Sequence, residues 1–362
     1  MKLLELQKSA VDLYKSGTAL HLVGPPGVGK SDSIKNEVRA TLSSHFGEEF
    51  GYHDVLLPTV DAPDIRGFLI PTKDKEGHAT SFFTRSAILP AREYLAAHPR
   101  GIMLLDERNA ADLLTQKAVA PAVLSKRFGE EYLPEGWLVI SASNRVEDNS
   151  GVIKSPKHLV NRERTLNIES DVLSWSVWAE NHQIHPMLIA FAKQQPGVVF
   201  TESVPKTEGA FCTPRSFVSA AKILAQAAGT DGDGNPNMVI PQSGILSQIV
   251  GGDIGEGACA QLMAYLKVAD DLPTIQEVID KPKDAKCPDS LSAAYAAAQM
   301  CLHYATPGNI EKLWTYVERL KKELQVSVAK QLIAKGAGVL LNSKALTAWI
   351  GKNRTLINAS NF

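Results

Sequence analysis

A glycine-rich segment close to the start of the chain has the residue types and spacing that bind phosphate groups. It reads Gly24-Pro25-Pro26-Gly27-Val28-Gly29-Lys30-Ser31 and is followed by Asp32. The pattern G-x-x-x-x-G-K-S stands here between an apolar run and a stretch with helical potential, so a strand and a helix flank the turn. Backbone N–H groups of such a turn surround a phosphate, and the helix dipole adds positive charge. We therefore predict that residues 24–32 bind a nucleotide, with Lys30 on its β- and γ-phosphates and Ser31 on Mg²⁺.

Two adjacent carboxylates, Asp106 and Glu107, follow an apolar run at residues 101–105. Asp106 is suited to holding Mg²⁺ through its water shell, and Glu107 to orienting and deprotonating an attacking water. An acidic pair after a strand can instead start a helix. Because Asp106 lies 76 positions after Lys30, the order and distance of the two motifs favour an ATP-hydrolysing site.

A third candidate side chain, Asn144, ends the apolar run at residues 138–143 and lies 38 positions after Asp106. An amide at the tip of a strand can bind the attacking water or the γ-phosphate. Asparagine also ends many strands merely by starting a turn. In the company of the two earlier motifs we interpret Asn144 as part of the site.

The elements that must position these residues alternate between strand and helix in the first half of the chain. Further apolar runs occur at residues 54–60 and 164–168, and residues 112–124 are typical of a helix, so we predict a parallel sheet covered on both faces. Residues 67–70 and 80–84 flank a polar turn and predict an inserted β-hairpin. After residue 170 the apolar spacing is helical, as at 216–227, 258–268 and in one stripe at 311–330.

Composition excludes several other classes of protein. The 362 residues carry 38 basic and 39 acidic side chains, a net charge of −1, which disfavours a nucleic-acid coat protein. No apolar run approaches the ~18 residues that span a bilayer, and the charged start lacks the apolar stretch of a signal peptide, so we predict a cytoplasmic protein without a membrane span. The four cysteines are far apart and do not predict a zinc site. The loop at 229–237 lacks the EF-hand glycine and glutamate, since Pro236 and Gln242 stand there.

The motifs together resemble the AAA+ ATPases, and within them the MoxR family, over about residues 15–270. The resemblance is carried by the glycine loop, residues 102–107 with Asn109, Ser141-Ala142-Ser143-Asn144-Arg145, Leu159-Val160-Asn161-Arg162, Thr213-Pro214-Arg215 and the insert that begins Asp61-Ala62-Pro63-Asp64-Ile65-Arg66-Gly67. It implies an α/β fold with a parallel five-stranded sheet of strand order 5-1-4-3-2 and hairpin inserts, then a helical lid and a helical C-terminal region. The expected domains are 1–170, 171–272 and 273–362.

The resemblance also implies roles for particular residues. Asn144 resembles sensor 1, Arg215 resembles sensor 2 on the lid, and Arg162 resembles the arginine finger that reaches a neighbouring subunit's nucleotide. Arg164 is an alternative finger, and either arginine could be an ordinary salt-bridge partner. The sequence departs from the family at Arg108, which precedes Asn109 where family members have an arginine after it, so inter-subunit contacts there are expected to differ.

The resulting hypothesis is a Mg²⁺-dependent ATPase that forms a homo-oligomeric, hexameric ring and remodels a protein client. By the resemblance alone, a partner with a von Willebrand factor A domain is implied. A nucleic-acid motor of the same superfamily is the alternative, with Lys73 and Lys75 lining a pore, but Asp74 and Glu76 make that segment a poor electrostatic funnel. A non-hydrolysing nucleotide switch or a structural protein is disfavoured because the expected catalytic residues are all present.

Overall fold

The computed structural model describes residues 1–148, 162–201, 204–205, 208–232, 234–335 and 343–359. Contacts divide the chain into two compact units, Met1–Ser170 and Asp171–Phe362. Within these ranges, no helix has the length and apolar character needed to cross a bilayer.

The strands that the structure describes all lie in the first unit. In chain order they are β1 Leu20–Val23, β2 Gly51–Leu56, β3 Leu69–Lys73, β4 Ala79–Phe83, β5 Arg100–Asp106, β6 Arg127–Phe128, β7 Glu131–Tyr132, β8 Gly136–Ser143 and β9 Arg164–Asn167. Its α-helices are Leu3–Lys8, Ala10–Lys15, Lys30–Ser33, Arg39–Phe46, Ala62–Arg66, Arg92–Ala97 and Leu113–Ser125. A π-helical turn, Ile34–Val38, joins the third helix to the fourth, and short 3₁₀ turns lie at Leu57–Thr59, Arg108–Ala110 and Val146–Asp148.

Five strands form one sheet in the spatial order β2-β5-β8-β1-β9. Every neighbouring pair in this sheet is parallel. If only these five strands are counted along the chain, the order is 5-1-4-3-2, as the resemblance to AAA+ proteins implied. The predicted fold class, a parallel P-loop sheet of the AAA+ type with hairpin inserts and a helical region after it, is therefore confirmed.

The central strands β5 and β8 are buried on both faces, which explains their long apolar sequences, whereas the edge strand β9 is mostly exposed. Along β5, Ile102 and Leu104 join an apolar cluster with Leu22 on one face. Met103 and Leu105 join a second cluster, with Trp137, on the other. Side chains alternate between the two faces because the strand has a period of two.

The second strand begins and ends earlier than predicted. It spans Gly51–Leu56 rather than 54–60, and Leu57–Thr59 form a 3₁₀ turn. Pro58 lies in that turn, and proline has no N–H to give to a strand ladder, so the strand stops before it.

The predicted hairpin insert is present as the antiparallel pair β3 and β4, in register from Leu69 opposite Phe83 to Lys73 opposite Ala79. Five large apolar side chains on this hairpin are exposed: Phe68, Leu69, Ile70, Phe82 and Phe83. A second, two-residue hairpin pairs β6 with β7.

The second unit is helical in its described part. Its α-helices are Val172–Asn181, Pro186–Gln194, Pro196–Val199, Pro214–Ala228, Gly244–Ile254, Glu256–Leu266, Ile275–Asp280, Leu291–His303, Ile310–Val317, Lys322–Lys335, Lys344–Lys352 and Arg354–Ala359, with a 3₁₀ turn at Lys267–Asp271. Two apolar clusters stabilise it, one built mainly from residues 175–269 and the other from residues 278–349.

The apolar stripe at 311–330 is buried, but it belongs to two helices rather than one. The first helix ends at Val317 and the second begins at Lys322. The side-chain Nε2 of Gln325 donates hydrogen bonds to the carbonyl oxygens of Glu318 and Leu320, at 2.8 Å each. These bonds satisfy carbonyl groups that a continuous helix would pair with backbone N–H groups.

Candidate nucleotide-binding site

The glycine loop, residues 24–31, leaves the sheet at the carboxyl end of β1. The Gly24 N–H donates to the carbonyl oxygen of Ser143 at 3.2 Å. A Cβ on Gly24 would lie 2.6 Å from the carbonyl oxygen of Ile168, so only glycine lets the loop approach the end of β9 this closely. Gly27 and Gly29 have φ values of +69° and +98°, the left-handed region that favours glycine. The loop backbone therefore has the curved form that turns N–H groups toward an anion.

The Lys30 side chain is held against the loop and touches the predicted sensor. Lys30 is only 7% exposed. Its ammonium donates to the carbonyl oxygens of Gly24 and Pro25 at 2.8 and 2.9 Å, and to Asn144 Oδ1 at 3.2 Å. One cation thus connects the glycine loop after β1 with the tip of β8.

The two predicted magnesium ligands lie side by side. Ser31 Oγ donates to Asp106 Oδ2 at 2.6 Å, although 75 positions separate the residues in the sequence. A hydroxyl and a carboxylate are the hard oxygen ligands that Mg²⁺ prefers. The remaining predicted binding residues are Pro26, Val28 and Asp32. Val28 packs into the apolar core, and the Asp32 carboxylate accepts a hydrogen bond from Asn36 Nδ2 at 2.9 Å.

Glu107 has a backbone conformation that is rare outside glycine. Its φ and ψ are 51° and 37°, and it caps the 3₁₀ turn Arg108–Ala110. Its N–H donates to Asp106 Oδ1 at 2.9 Å, and its side chain is exposed. Left-handed non-glycine residues are costly and are concentrated at functional sites. The Glu107 side chain is thus exposed directly after Asp106, the last residue of β5.

Asn109 holds the backbone of Asn144. Asn109 Nδ2 donates to the Asn144 carbonyl oxygen at 2.7 Å, and Asn109 is 5% exposed. Its Oδ1 has no hydrogen-bond partner among the residues that the structure describes. In the sequence Asn109 was only part of a family resemblance, with no role assigned. The structure shows that it fixes the tip of β8.

Sequence reasoning missed a buried polar network beneath this site. Arg108 and Glu163 both have fully buried side chains, and they form two parallel hydrogen bonds, Nη1 to Oε2 at 2.6 Å and Nη2 to Oε1 at 2.8 Å. Arg108 Nη1 also donates to Ser141 Oγ at 3.1 Å. Its Nη2 lies 3.0 Å from His21 Nδ1, and His21 Nε2 lies 2.8 Å from Ser143 Oγ. Arg108 therefore faces the sheet and is not at the protein surface.

The charges of the network follow from its surroundings. Burial alone would raise the pKa of Glu163, but hydrogen bonds from Arg108 and His21 and the arginine charge outweigh it and hold the pKa at about 2. Burial lowers the pKa of His21, and the Glu163 carboxylate opposes that effect in part. At neutral pH the network thus contains one ionised pair, Arg108 and Glu163, and a neutral His21.

The three predicted arginines are all exposed. Arg162 directly precedes Glu163, and its side chain makes no hydrogen bond or ion pair with any residue in the described ranges. Arg164 begins β9, and its Nη1 donates to Ser16 Oγ at 3.0 Å. Arg215 is the second residue of the helix Pro214–Ala228 in the second unit. The residues Leu159, Val160 and Asn161 of the quoted motif lie outside the described residues.

Comparisons with known proteins found structural likeness only. No protein-family model matches the chain, and no curated protein matches it. A RuvB mutant from Thermotoga maritima is 13% identical with a TM-score of 0.37, over 77% of this chain and 75% of that one. NtrX from Brucella abortus is 13% identical with a TM-score of 0.33, over 96% and 67%. A putative ATPase from Cytophaga hutchinsonii is 13% identical with a TM-score of 0.30, over 95% and 88%. The fold is identified by the strand order of the central sheet.

Proposed function

We propose that the chain is an AAA+ ATPase that binds ATP with Mg²⁺ at residues 24–32 and hydrolyses it with Glu107 as the base. The observation that carries the proposal is the 2.6 Å hydrogen bond between Ser31 and Asp106, beside the contact of Lys30 with Asn144. Side chains from three distant motifs meet at the carboxyl ends of β1, β8 and β5, which are neighbours in the sheet. Ligands of open parallel sheets bind at this edge.

The residues present fit both a phosphate chain and a magnesium ion. The glycine loop has left-handed turns at Gly27 and Gly29 and a helix start behind it, which together form an anion site. Ser31 and Asp106 would hold Mg²⁺, and such sites commonly complete the coordination with substrate phosphates. When bound, the ion neutralises charge that develops on the transferred phosphoryl group.

The chain's own residues would then divide the remaining work. Lys30 would exchange its loop carbonyls for the β- and γ-phosphates, because an ammonium is attracted more strongly to a negatively charged phosphate oxygen than to an uncharged carbonyl oxygen. Asn144, held by Asn109, would orient the attacking water or the γ-phosphate. Glu107 would take a proton from that water, because its exposed carboxylate is free of the side-chain contacts that hold Asp106.

The proposal extends to a homo-oligomeric, hexameric ring in which Arg162 serves the neighbouring site. Arg164 is hydrogen-bonded to Ser16 within its own chain. Arg162 is exposed, and its side chain has no hydrogen bond or ion pair among the described residues. This difference favours Arg162 as the finger. We assign residues 171–272 to a lid that carries Arg215 as sensor 2, and residues 273–362 to an extension.

A protein client is favoured over a nucleic acid by the hairpin of β3 and β4. Its exposed Phe68, Phe82 and Phe83 offer apolar surface of the kind that marks contacts with other proteins. At its tip, Asp74 accepts hydrogen bonds from the backbone N–H groups of Glu76 and His78, and the carboxylates of Asp74 and Glu76 balance the charges of Lys73 and Lys75 within this short segment. A von Willebrand factor A partner and a cytoplasmic location stay predictions.

The proposal is tested by the magnesium dependence of ATP turnover. We expect the wild-type protein to hydrolyse ATP only when Mg²⁺ is present. Asp106→Asn should raise the Mg²⁺ concentration needed for half-maximal turnover, because a carboxylate ligand is lost. Glu131→Gln is the matched control, since its carboxylate pairs with Arg85 and Arg92 instead. Absence of ATP turnover by assembled wild-type protein would contradict the proposal.

A further inference from the structure

Two buried residues each adjoin a residue with a proposed catalytic role. Arg108 directly follows Glu107, and Glu163 directly follows Arg162. The side chains of Arg108 and Glu163 are 0% exposed and are bonded to each other. We propose that Arg108 and Glu163 are positioning residues that link Glu107, in one nucleotide site, to Arg162, which serves the next site in the ring. This inference rests on the proposed function.

The first support is the geometry of the contact. Two hydrogen bonds of 2.6 and 2.8 Å join the two guanidinium nitrogens to the two carboxylate oxygens. A paired contact of this kind fixes orientation as well as distance, which a single hydrogen bond does not. A displacement of the Arg108 side chain therefore carries Glu163 with it.

The second support is the anchoring of the pair to the sheet. Arg108 contacts Ser141 on β8 and His21 on β1, and His21 contacts Ser143 on β8. These two strands lead directly into Asn144 and the glycine loop. The pair is thus anchored to the same two strands that position the rest of the nucleotide site.

The third support is energetic. A buried ion pair is poor evidence for stability, because apolar side chains of similar size often stabilise a fold as well or better. Here the cost is increased by Arg108 Nε, which has no hydrogen-bond partner among the described residues. Retaining the pair is understandable if it fixes geometry. The left-handed Glu107 directly before Arg108 needs such support, since strained turns persist only when their surroundings determine them.

A contiguous route therefore joins the two proposed catalytic groups: Glu107, Arg108, Glu163 and Arg162. A change in the turn at Glu107 when nucleotide binds or is hydrolysed would move the Arg108 guanidinium and, through the paired bonds, the backbone next to Arg162. Chains of hydrogen-bonded and ion-paired side chains of this kind can carry energetic coupling between two sites. The exposed arginine would then respond to the nucleotide held by its own chain.

The test replaces both charges at once, with Arg108→Met combined with Glu163→Leu, so that no charge is left buried without its partner. We expect kcat per bound nucleotide to fall about 10- to 100-fold, as for lost positioning of catalytic groups, while the Kd for a non-hydrolysable ATP analogue stays unchanged. The matched control makes the same substitutions in the partly exposed pair Arg85 and Glu131 and should keep the wild-type kcat.

The arm that isolates the link to Arg162 uses mixed rings. Glu107→Gln subunits bind nucleotide without hydrolysing it and supply Arg162, and Arg162→Ala subunits supply an intact nucleotide site, so turnover arises only across their shared interfaces. Adding the Met and Leu substitutions to the Glu107→Gln subunits should lower this turnover about 10-fold or more, since they then act only through the neighbour. Undiminished turnover in these rings would overturn the link.

Two further outcomes would overturn the inference. One is a double variant with the wild-type kcat. The other is a loss of nucleotide binding in proportion to kcat, which is the result of a merely structural role. If the double variant does not fold, Arg108→Lys is the second variant, because it retains the charge and loses only the paired hydrogen-bond geometry. A folded Arg108→Lys protein with the wild-type kcat would also contradict the inference. Wild-type protein without ATP turnover would instead remove the proposed function itself.

Discussion

Glu163→Gln is expected to destabilise the first unit strongly and in a pH-dependent way. The substitution leaves the Arg108 guanidinium buried without its counter-charge, which costs about 3 to 5 kcal/mol. The pKa of Glu163 gives a second figure, because lowering it from 4.5 to about 2 corresponds to ~3 kcal/mol of stability. The two figures agree, since each describes the same carboxylate stabilised by the same arginine.

The sign of the pH dependence follows from the lowered pKa. A carboxyl group whose pKa is lower in the folded state contributes its stability fully above pH 4.5, and the contribution is lost as the pH falls toward 2. At pH 3 the wild-type protein should have lost ~2 kcal/mol of it. The stability difference between the wild type and Glu163→Gln should therefore be largest at pH 7 and smaller by about that amount at pH 3.

The assay is urea unfolding at pH 7 and pH 3, followed by hydrogen exchange of backbone amides in β5 and β8, which report on the first unit alone. Glu131→Gln is the control, because Glu131 pairs with arginines at a partly exposed position and should cost within about 1 kcal/mol. A Glu163→Gln deficit as small as that of the control at pH 7 would refute the buried pairing. A deficit equal at both pH values would refute the lowered pKa.

Three further predictions concern the loop and the arginines. Gly24→Ala should lower the free energy of unfolding by about 1 to 3 kcal/mol and weaken ATP binding, because the new Cβ would meet the Ile168 carbonyl oxygen. Thermal unfolding measures the first effect and equilibrium binding the second, and wild-type values in both would contradict the close approach. Arg215→Ala should abolish ATP-dependent hydrogen-exchange protection of residues 216–224, and retained protection argues against sensor 2. Arg162→Ala should lower turnover of assembled rings about 10³-fold and Arg164→Ala far less; the reverse order would make Arg164 the finger.

The parts of the fold that could be predicted are those in which each short segment carries its own signal. The apolar runs that end in Asp106 and Asn144 identified two central strands and their catalytic ends together. The glycine loop identified a third. Parallel strands bring their carboxyl ends to one edge of the sheet, so the contact of Ser31 with Asp106 was implied by the motifs alone.

The buried network could not be predicted, because nothing local marks a charged residue as buried. Arginine and glutamate are almost never fully buried unless they are paired, and Arg108 and Glu163 are 55 positions apart. Arg108 was therefore interpreted only as a departure from the family pattern, with an expected effect on contacts between subunits, and its burial against the sheet was not predicted. The break after Val317 was missed for a similar reason: the side chain that bonds the carbonyl groups following it, that of Gln325, lies in the next helix.

The central claim is that Lys30 binds the phosphates and that Glu107 activates water. It is tested most directly by measuring equilibrium ATP binding and steady-state turnover on the same preparations of Lys30→Ala and Glu107→Gln. We predict that Lys30→Ala loses binding, because a phosphate contact is removed, and that Glu107→Gln keeps wild-type affinity while losing turnover by about 10²-fold or more. Wild-type turnover by Glu107→Gln, or undiminished ATP affinity in Lys30→Ala, would contradict the account.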